Sequence, residues 1–199
     1  MKNNLLTLAV ASVVFFSCNN NASDSVAKAD SANSARSDST AMKTDSSATV
    51  QPSIKTDDTT SMFLVKAANG GMAEVKLAQL AKEKSKDSVI LNFADMMIAD
   101  HGAANEKVKS LAAERNVTLP AVPGDAEQKK ADELSKKAGK DFDKAYVEAM
   151  VKGHTETLDM FKKTSAKETD VPVKTFIDNT IPVIEHHLQR IKDIKKGMK

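Results

Sequence analysis

The 199-residue chain has no tryptophan, one tyrosine and a single cysteine. A lone cysteine excludes a disulfide within the chain, so the fold must be held by packing, with or without a metal. Aromatic residues make up only 4%, too few for base-stacking platforms, and lysines alternate with acidic residues at helical spacings. Both observations exclude a nucleic-acid partner, and the formal net charge of +2 fits solvated helix surfaces. Long apolar runs are missing as well. The run from Leu5 to Phe16, within MKNNLLTLAVASVVFFSC, is too short to span a bilayer but has the length of a signal-peptide core. There is no convincing strand alternation, glycine-rich phosphate loop or nucleophile–base signature, so no catalytic motif is recognisable. The two glycines of NGGMAE fall inside a helical pattern, where they serve close packing better than phosphate binding.

What is present divides the chain into three blocks. Lys2 precedes the apolar run, and Ser17-Cys18 ends it. A small residue before a lone cysteine at this point resembles a bacterial lipoprotein signal, although Phe15 and Phe16 replace the usual leucine and small residue. The resemblance implies a signal peptide over residues 1–17, cleavage before Cys18 and acylation of that cysteine. The membrane would then be a partner through a lipid anchor, in a bacterial cell envelope, with the outer membrane favoured. The alternative is an ordinary secretory signal with an incidental cysteine. No acidic run follows Cys18, so the leaflet stays open. Residues 18–60 are rich in Ser, Ala, Asp, Thr, Asn and Lys and nearly devoid of large apolar residues. Such a segment buries too little apolar surface to offset its ordering entropy, and a disordered tether is expected.

Residues 61–199 have the size of one domain. Their periodicity predicts helices over about 60–85, 87–115, 125–167 and 172–196, with a kink or break near residues 137–141 at Gly139. Pro172 suits a first turn, whereas Pro182 should remove a backbone hydrogen bond and bend the last helix. The expected fold is all-α: an up-down-up-down four-helix bundle.

One polar residue interrupts the apolar stripe of each helix. Glu74 lies between Gly70 and Leu77, His101 between Met97 and Ala104, His154 between Met150 and Leu158, and His187 between Ile184 and Ile191. Adjacent residues on a helix point about 100° apart, so His187 should face inward and His186 to the side. Glu74 and His101 lie about 12 and 15 residues from the first turn, and His154 and His187 about 15 and 18 from the last; at about 1.5 Å per residue all four can meet at one level. Three imidazoles and a carboxylate form a plausible shell for a divalent transition metal, whether zinc, copper, iron or manganese. A metal-free Glu–His network or bound water would also satisfy them. Asp100 and Asn105 are candidates to orient an imidazole from outside that shell. Glu156 and Glu185 read as surface charge.

The segments AANGGMAEVKLAQLA, FADMMIADHGAANEKVKSLA, TLPAVP, FDKAYVEAMVKGHTETLDMF and TIPVIEHHLQRI together resemble a bacterial envelope family of unknown function whose members are often labelled outer-membrane proteins. The resemblance spans about residues 62–194 and implies a ferritin-like four-helix fold and an exported location. Glu74, Asp100, His101, Asn105, His154 and His187 match its pattern. A membrane barrel is excluded by the absence of strands. The di-iron pattern of ferritin-like proteins needs Glu-x-x-His on two helices, but Ile98, Val151 and Ile184 precede the three histidines by three residues. The functions expected are therefore, in order, a metal-binding module for sensing, storage or stress protection; a metal-free structural or interaction module whose protein partners the sequence does not name; and a metal-dependent oxidoreductase.

Overall fold

The computed structural model describes residues 24–39 and 57–198, and all regular structure among them is helical. Six helices follow one another: α1 (Ser25–Ser39), α2 (Asp58–Lys84), α3 (Ser88–Glu114), α4 (Asp125–Ser135), α5 (Gly139–Ser165) and α6 (Val171–Gly197). The signal segment and Cys18 lie outside the described residues, as do residues 40–56.

Local chemistry explains the helix boundaries. Asp57 accepts a hydrogen bond from the Thr60 amide at 2.7 Å, Asp87 from the Val89 and Ile90 amides, and Asp170 from the Val173 amide at 3.1 Å, so α2, α3 and α6 each start on an aspartate cap. Lysines occupy the last turns of α2, α5 and α6, where the helix dipole favours positive charge. The expected break falls between α4 and α5. Gly139 adopts φ +53°, a left-handed conformation that side-chain-bearing residues rarely tolerate. Pro182 does not interrupt α6, which runs unbroken from Val171 to Gly197.

The three-residue α2–α3 connection folds these helices into a hairpin, and α5 and α6 form a second. The hairpins join through α2 against α5 and α3 against α6. Two apolar clusters fill the interior. One gathers Leu77, Phe93, Met97, Tyr146, Met150 and Ile191; the other gathers Leu64, Val108, Leu111, Phe161, Val173 and Ile177. Between them, at the midpoint of each long helix, lie Glu74, His101, His154 and His187, all buried. The bundle therefore has a polar layer between two greasy ones.

The disordered tether expected over 18–60 needs correction for residues 24–39. Helix α1 packs on α2 and buries Ala29 to 1% exposure. Asn33 exchanges two hydrogen bonds with the Thr118 backbone, donating from Nδ2 (3.0 Å) and accepting at Oδ1 (2.7 Å). Arg36 reaches the Thr118 hydroxyl at 2.7 Å, and the Ser25 hydroxyl donates to the Val122 carbonyl at 2.7 Å. This helix offsets its ordering entropy with specific hydrogen bonds to the α3–α4 connection instead of a large apolar stripe. The start of α2 at Asp58 also places Thr60, buried, inside the folded part.

A second tie closes the end of the bundle where α3 finishes and α6 begins. Arg115, 3% exposed at the end of α3, donates from Nε and Nη2 to the two carboxylate oxygens of Asp170 (2.8 and 2.6 Å) and from Nη1 to the Leu111 carbonyl (2.9 Å). Buried Glu168 accepts from the Thr60 hydroxyl and from the Thr169 and Asp170 amides, each at 2.9 Å. Charged groups thereby connect the start of α2, the end of α3 and the start of α6.

Candidate metal centre

The three inward histidines converge. Their ring centroids are separated by 5.4 Å (His101–His154), 5.4 Å (His101–His187) and 5.6 Å (His154–His187). One potential ligand atom from each lies within 4.8 Å of the others. Metal–nitrogen bonds of about 2.0–2.1 Å in a tetrahedral site place ligand nitrogens about 3.4 Å apart, so ring rotations of about an ångström would close the rings on one ion. The fourth histidine, His186, is exposed to the side of its neighbour, as its helical phase requires.

Each ring has one nitrogen close to an oxygen and one left over, and for His154 and His187 the close contact is a hydrogen bond. His101 Nδ1 lies 3.1 Å from Glu74 Oε2. His154 Nδ1 lies 3.0 Å from the Met150 carbonyl oxygen. His187 Nε2 lies 2.9 Å from Asp100 Oδ2. If each engaged nitrogen carries the proton, the opposite nitrogen keeps its lone pair. Those opposite atoms, His101 Nε2, His154 Nε2 and His187 Nδ1, are buried without a hydrogen-bond partner, and so is Glu74 Oε1. Glu74 Oε1 does lie 3.2 Å from His154 Nδ1, but this approach lacks hydrogen-bond geometry, and the Met150 carbonyl is the partner of that nitrogen. An imidazole with one nitrogen held by an oxygen and the lone pair of the other unmet has the pattern of a metal ligand.

Burial drives all four groups toward neutrality. It pushes the Glu74 carboxyl up to about 8, with Glu127 adding to the effect. His101 is pushed down to about 3 by burial, reinforced by His154 and His187, and His154 to about 4 by burial and His187 against the opposing Met150 carbonyl. Burial also lowers His187, and the Asp100 carboxylate works against it. The imidazoles are therefore neutral at physiological pH, the form that ligates metal.

The sequence-derived candidates separate by role. His101, His154 and His187 form the convergent set. Glu74 lies behind His101 and beside His154 instead of joining that set. Asp100, half-exposed, holds His187, on a different helix from its sequence neighbour His101. Asn105 makes no hydrogen bond to the three rings among the described residues. Its carboxamide instead covers Gly71, where an added Cβ would collide with it. The Tyr146 hydroxyl, buried and without a partner, was not singled out by its sequence; burial pushes it up, with the nearby Glu74 contributing. Arg115 and Glu168 were not found either, since their spacing is that of ordinary surface charge.

A family described as Domain of unknown function (DUF4142) matches residues 43–194. The chain belongs to the DUF4142 family. The match covers α2, α3 and α5, α6 as far as Ile194, and the histidine layer. Among solved structures, the DUF305 fragment from Deinococcus radiodurans is similar, with a TM-score of 0.65 at 10% identity over 72% of this chain and 99% of that one. At that identity the likeness concerns the helical fold alone. Comparison with curated proteins finds no match.

Proposed function

We propose that this DUF4142 protein binds a divalent transition metal in the core of a ferritin-like bundle, tethered to the bacterial envelope by a lipid on Cys18. The observation that carries the metal reading is the set of three buried, partnerless imidazole nitrogens on three helices, each opposite a nitrogen within 3.1 Å of an oxygen. His101, His154 and His187 are the ligands in this reading. Glu74 and Asp100 orient His101 and His187, and the Glu74 carboxylate supplies compensating negative charge. Three histidines with no bridging carboxylates suit one ion and not an oxygen-activating iron pair. The role is sensing, storage or stress protection. Among the described residues no helix is long and apolar enough to cross a membrane, so attachment rests on the anchor.

The competing reading is a metal-free Glu–His network that fixes helix register. The position of Glu74 between His101 and His154 favours it, and the four orphaned atoms count against it. Metal analysis of the full chain, purified without a polyhistidine tag, decides between them. About one metal per chain is expected, lost in a His101→Ala/His154→Ala double variant. Metal-free protein whose melting is unmoved by zinc, copper, iron or manganese would rule the site out. The anchor is checked by mass spectrometry of the mature N-terminus: a Cys18 without acyl chains in membrane-associated protein would exclude it.

Loading should also release protons. At pH 7 Glu74, with its acid–base midpoint near 8, is mostly protonated in the metal-free protein, while the histidines carry no excess proton to lose. A dication beside it favours the carboxylate, so about one proton should leave per metal at pH 7. Release should fade above pH 8, and affinity should rise with pH up to that point and then level off. Calorimetric titration in two buffers of different ionisation enthalpy measures this. In Glu74→Gln the release should vanish.

A further inference from the structure

Asp100 links the histidine layer to water. Its side chain is 45% exposed, whereas that of His187, whose Nε2 lies 2.9 Å from Asp100 Oδ2, is 1% exposed. The other nitrogen of His187, Nδ1, is buried without a partner. The rings of His101 and His154 follow at 5.4 and 5.6 Å between centroids. A path from solvent through the Asp100 carboxylate therefore meets one ring, that of His187, before it reaches the other two. His186 is exposed, and its ring centroid is 6.0 Å from that of His187. A carboxylate and a second imidazole, both open to water, thus adjoin the same buried ring. An opening lined by Lys66, Gly70, Asn105 and Thr157 also reaches the layer, at Glu74 and His101, but the charge it carries toward solvent is the cation of Lys66.

We propose that Asp100 and His186 form a surface capture site for a divalent cation, and that the His187 ring is the gate through which the ion passes to the buried histidines. The inference rests on the metal reading above and adds the route of entry. A dication cannot cross an apolar wall bare, because it would shed its hydration without replacement. An oxygen and a nitrogen donor at the surface let it exchange waters for protein groups while it is still half solvated. The sign of the charge selects this route. A carboxylate attracts a dication at contact by about tenfold in local concentration even at the dielectric constant of water, and the ammonium of Lys66 repels it. Capture also acts on the gate. An ion bound at Asp100 Oδ2 competes with the His187 N–H for that oxygen. Once the hydrogen bond is lost, the ring is free to turn and take up the ion.

Stopped-flow mixing of the metal-free full chain with cobalt(II), whose visible bands report coordination, reads association and dissociation separately. Asp100→Asn keeps an oxygen that can accept from His187 but removes the charge. Association should slow by about tenfold in this variant, and its dependence on salt should flatten. His186→Ala should also slow association, and Lys66→Gln should leave it at the parental rate. A residue that only orients His187 would act on dissociation instead. Faster cobalt release from Asp100→Asn with unchanged uptake therefore overturns the proposal while sparing the metal site. Faster uptake in Lys66→Gln, with Asp100→Asn at the parental rate, overturns it too and assigns entry to the opening beside Gly70. A parent chain that takes up no cobalt at all removes the metal reading and, with it, this one.

Discussion

His154→Leu is expected to abolish metal retention while leaving the metal-free protein at least as stable as its parent. The His154 ring is fully enclosed, at 0% exposure, and its Nε2 has no partner. Leucine has a similar volume and no polar atom to satisfy. Removing an unsatisfied buried group should raise stability in urea by about 1–3 kcal/mol. The Met150 carbonyl loses nothing essential, because it also accepts the ordinary helix amide bond four residues on. Metal affinity should fall by more than about 100-fold, since losing an orienting partner alone costs about 10–100-fold. The pairing of opposite signs is the diagnostic. A structural network predicts the reverse: a less stable protein and no metal to lose. Urea denaturation and metal titration of the same two samples distinguish these cases.

Arg115→Ala should have the largest effect on folding. The guanidinium is buried and grips both oxygens of Asp170, a side chain only 15% exposed that also caps α6. Removing one partner of a buried pair leaves the other charge uncompensated, at a cost of about 3–5 kcal/mol. The pair also has a pH signature. Hydrogen bonding to Arg115 holds the Asp170 carboxyl below its ordinary value of 3.8. The folded state thus binds its proton less readily than the unfolded chain. The resulting stabilisation is fully present above the unfolded value, near pH 4, and is lost as pH falls through the folded one. Urea titrations between pH 2 and 7 should show this acid loss in the parent and a flatter curve in the variant. A stability change under about 1 kcal/mol, with an unaltered acid arm, would show that the pair contributes little, as exposed pairs do.

The long helices were readable because their signals are local. Pro172 stands in the first turn of α6, Gly139 stands at the break, and the apolar spacing of three and four residues marks the inner face of each rod. Helix α1 was missed for the complementary reason. Its docked face of Val26, Ala29, Asn33 and Arg36 has helical spacing but little apolar content. What holds it is the backbone of Thr118 and Val122, some 85 to 97 residues away. No local pattern reports a bond of that span. The same limit hid Arg115 and Glu168, which look like surface charges until α2, α3 and α6 close around them.

For the site, the sequence by itself determined which side chains face inward: Glu74, His101, His154 and His187 follow from helical phase, and their common level follows from distance to the turns. It could not determine which atom meets which, because that depends on how the helices are rotated and spaced against one another. Only the tertiary structure placed Glu74 behind His101, brought Asp100 to His187 and moved Asn105 onto Gly71. It alone left an opening beside Gly70. Periodicity fixes a direction around one helix axis; hydrogen bonds and cavities depend on the small differences in separation between several axes.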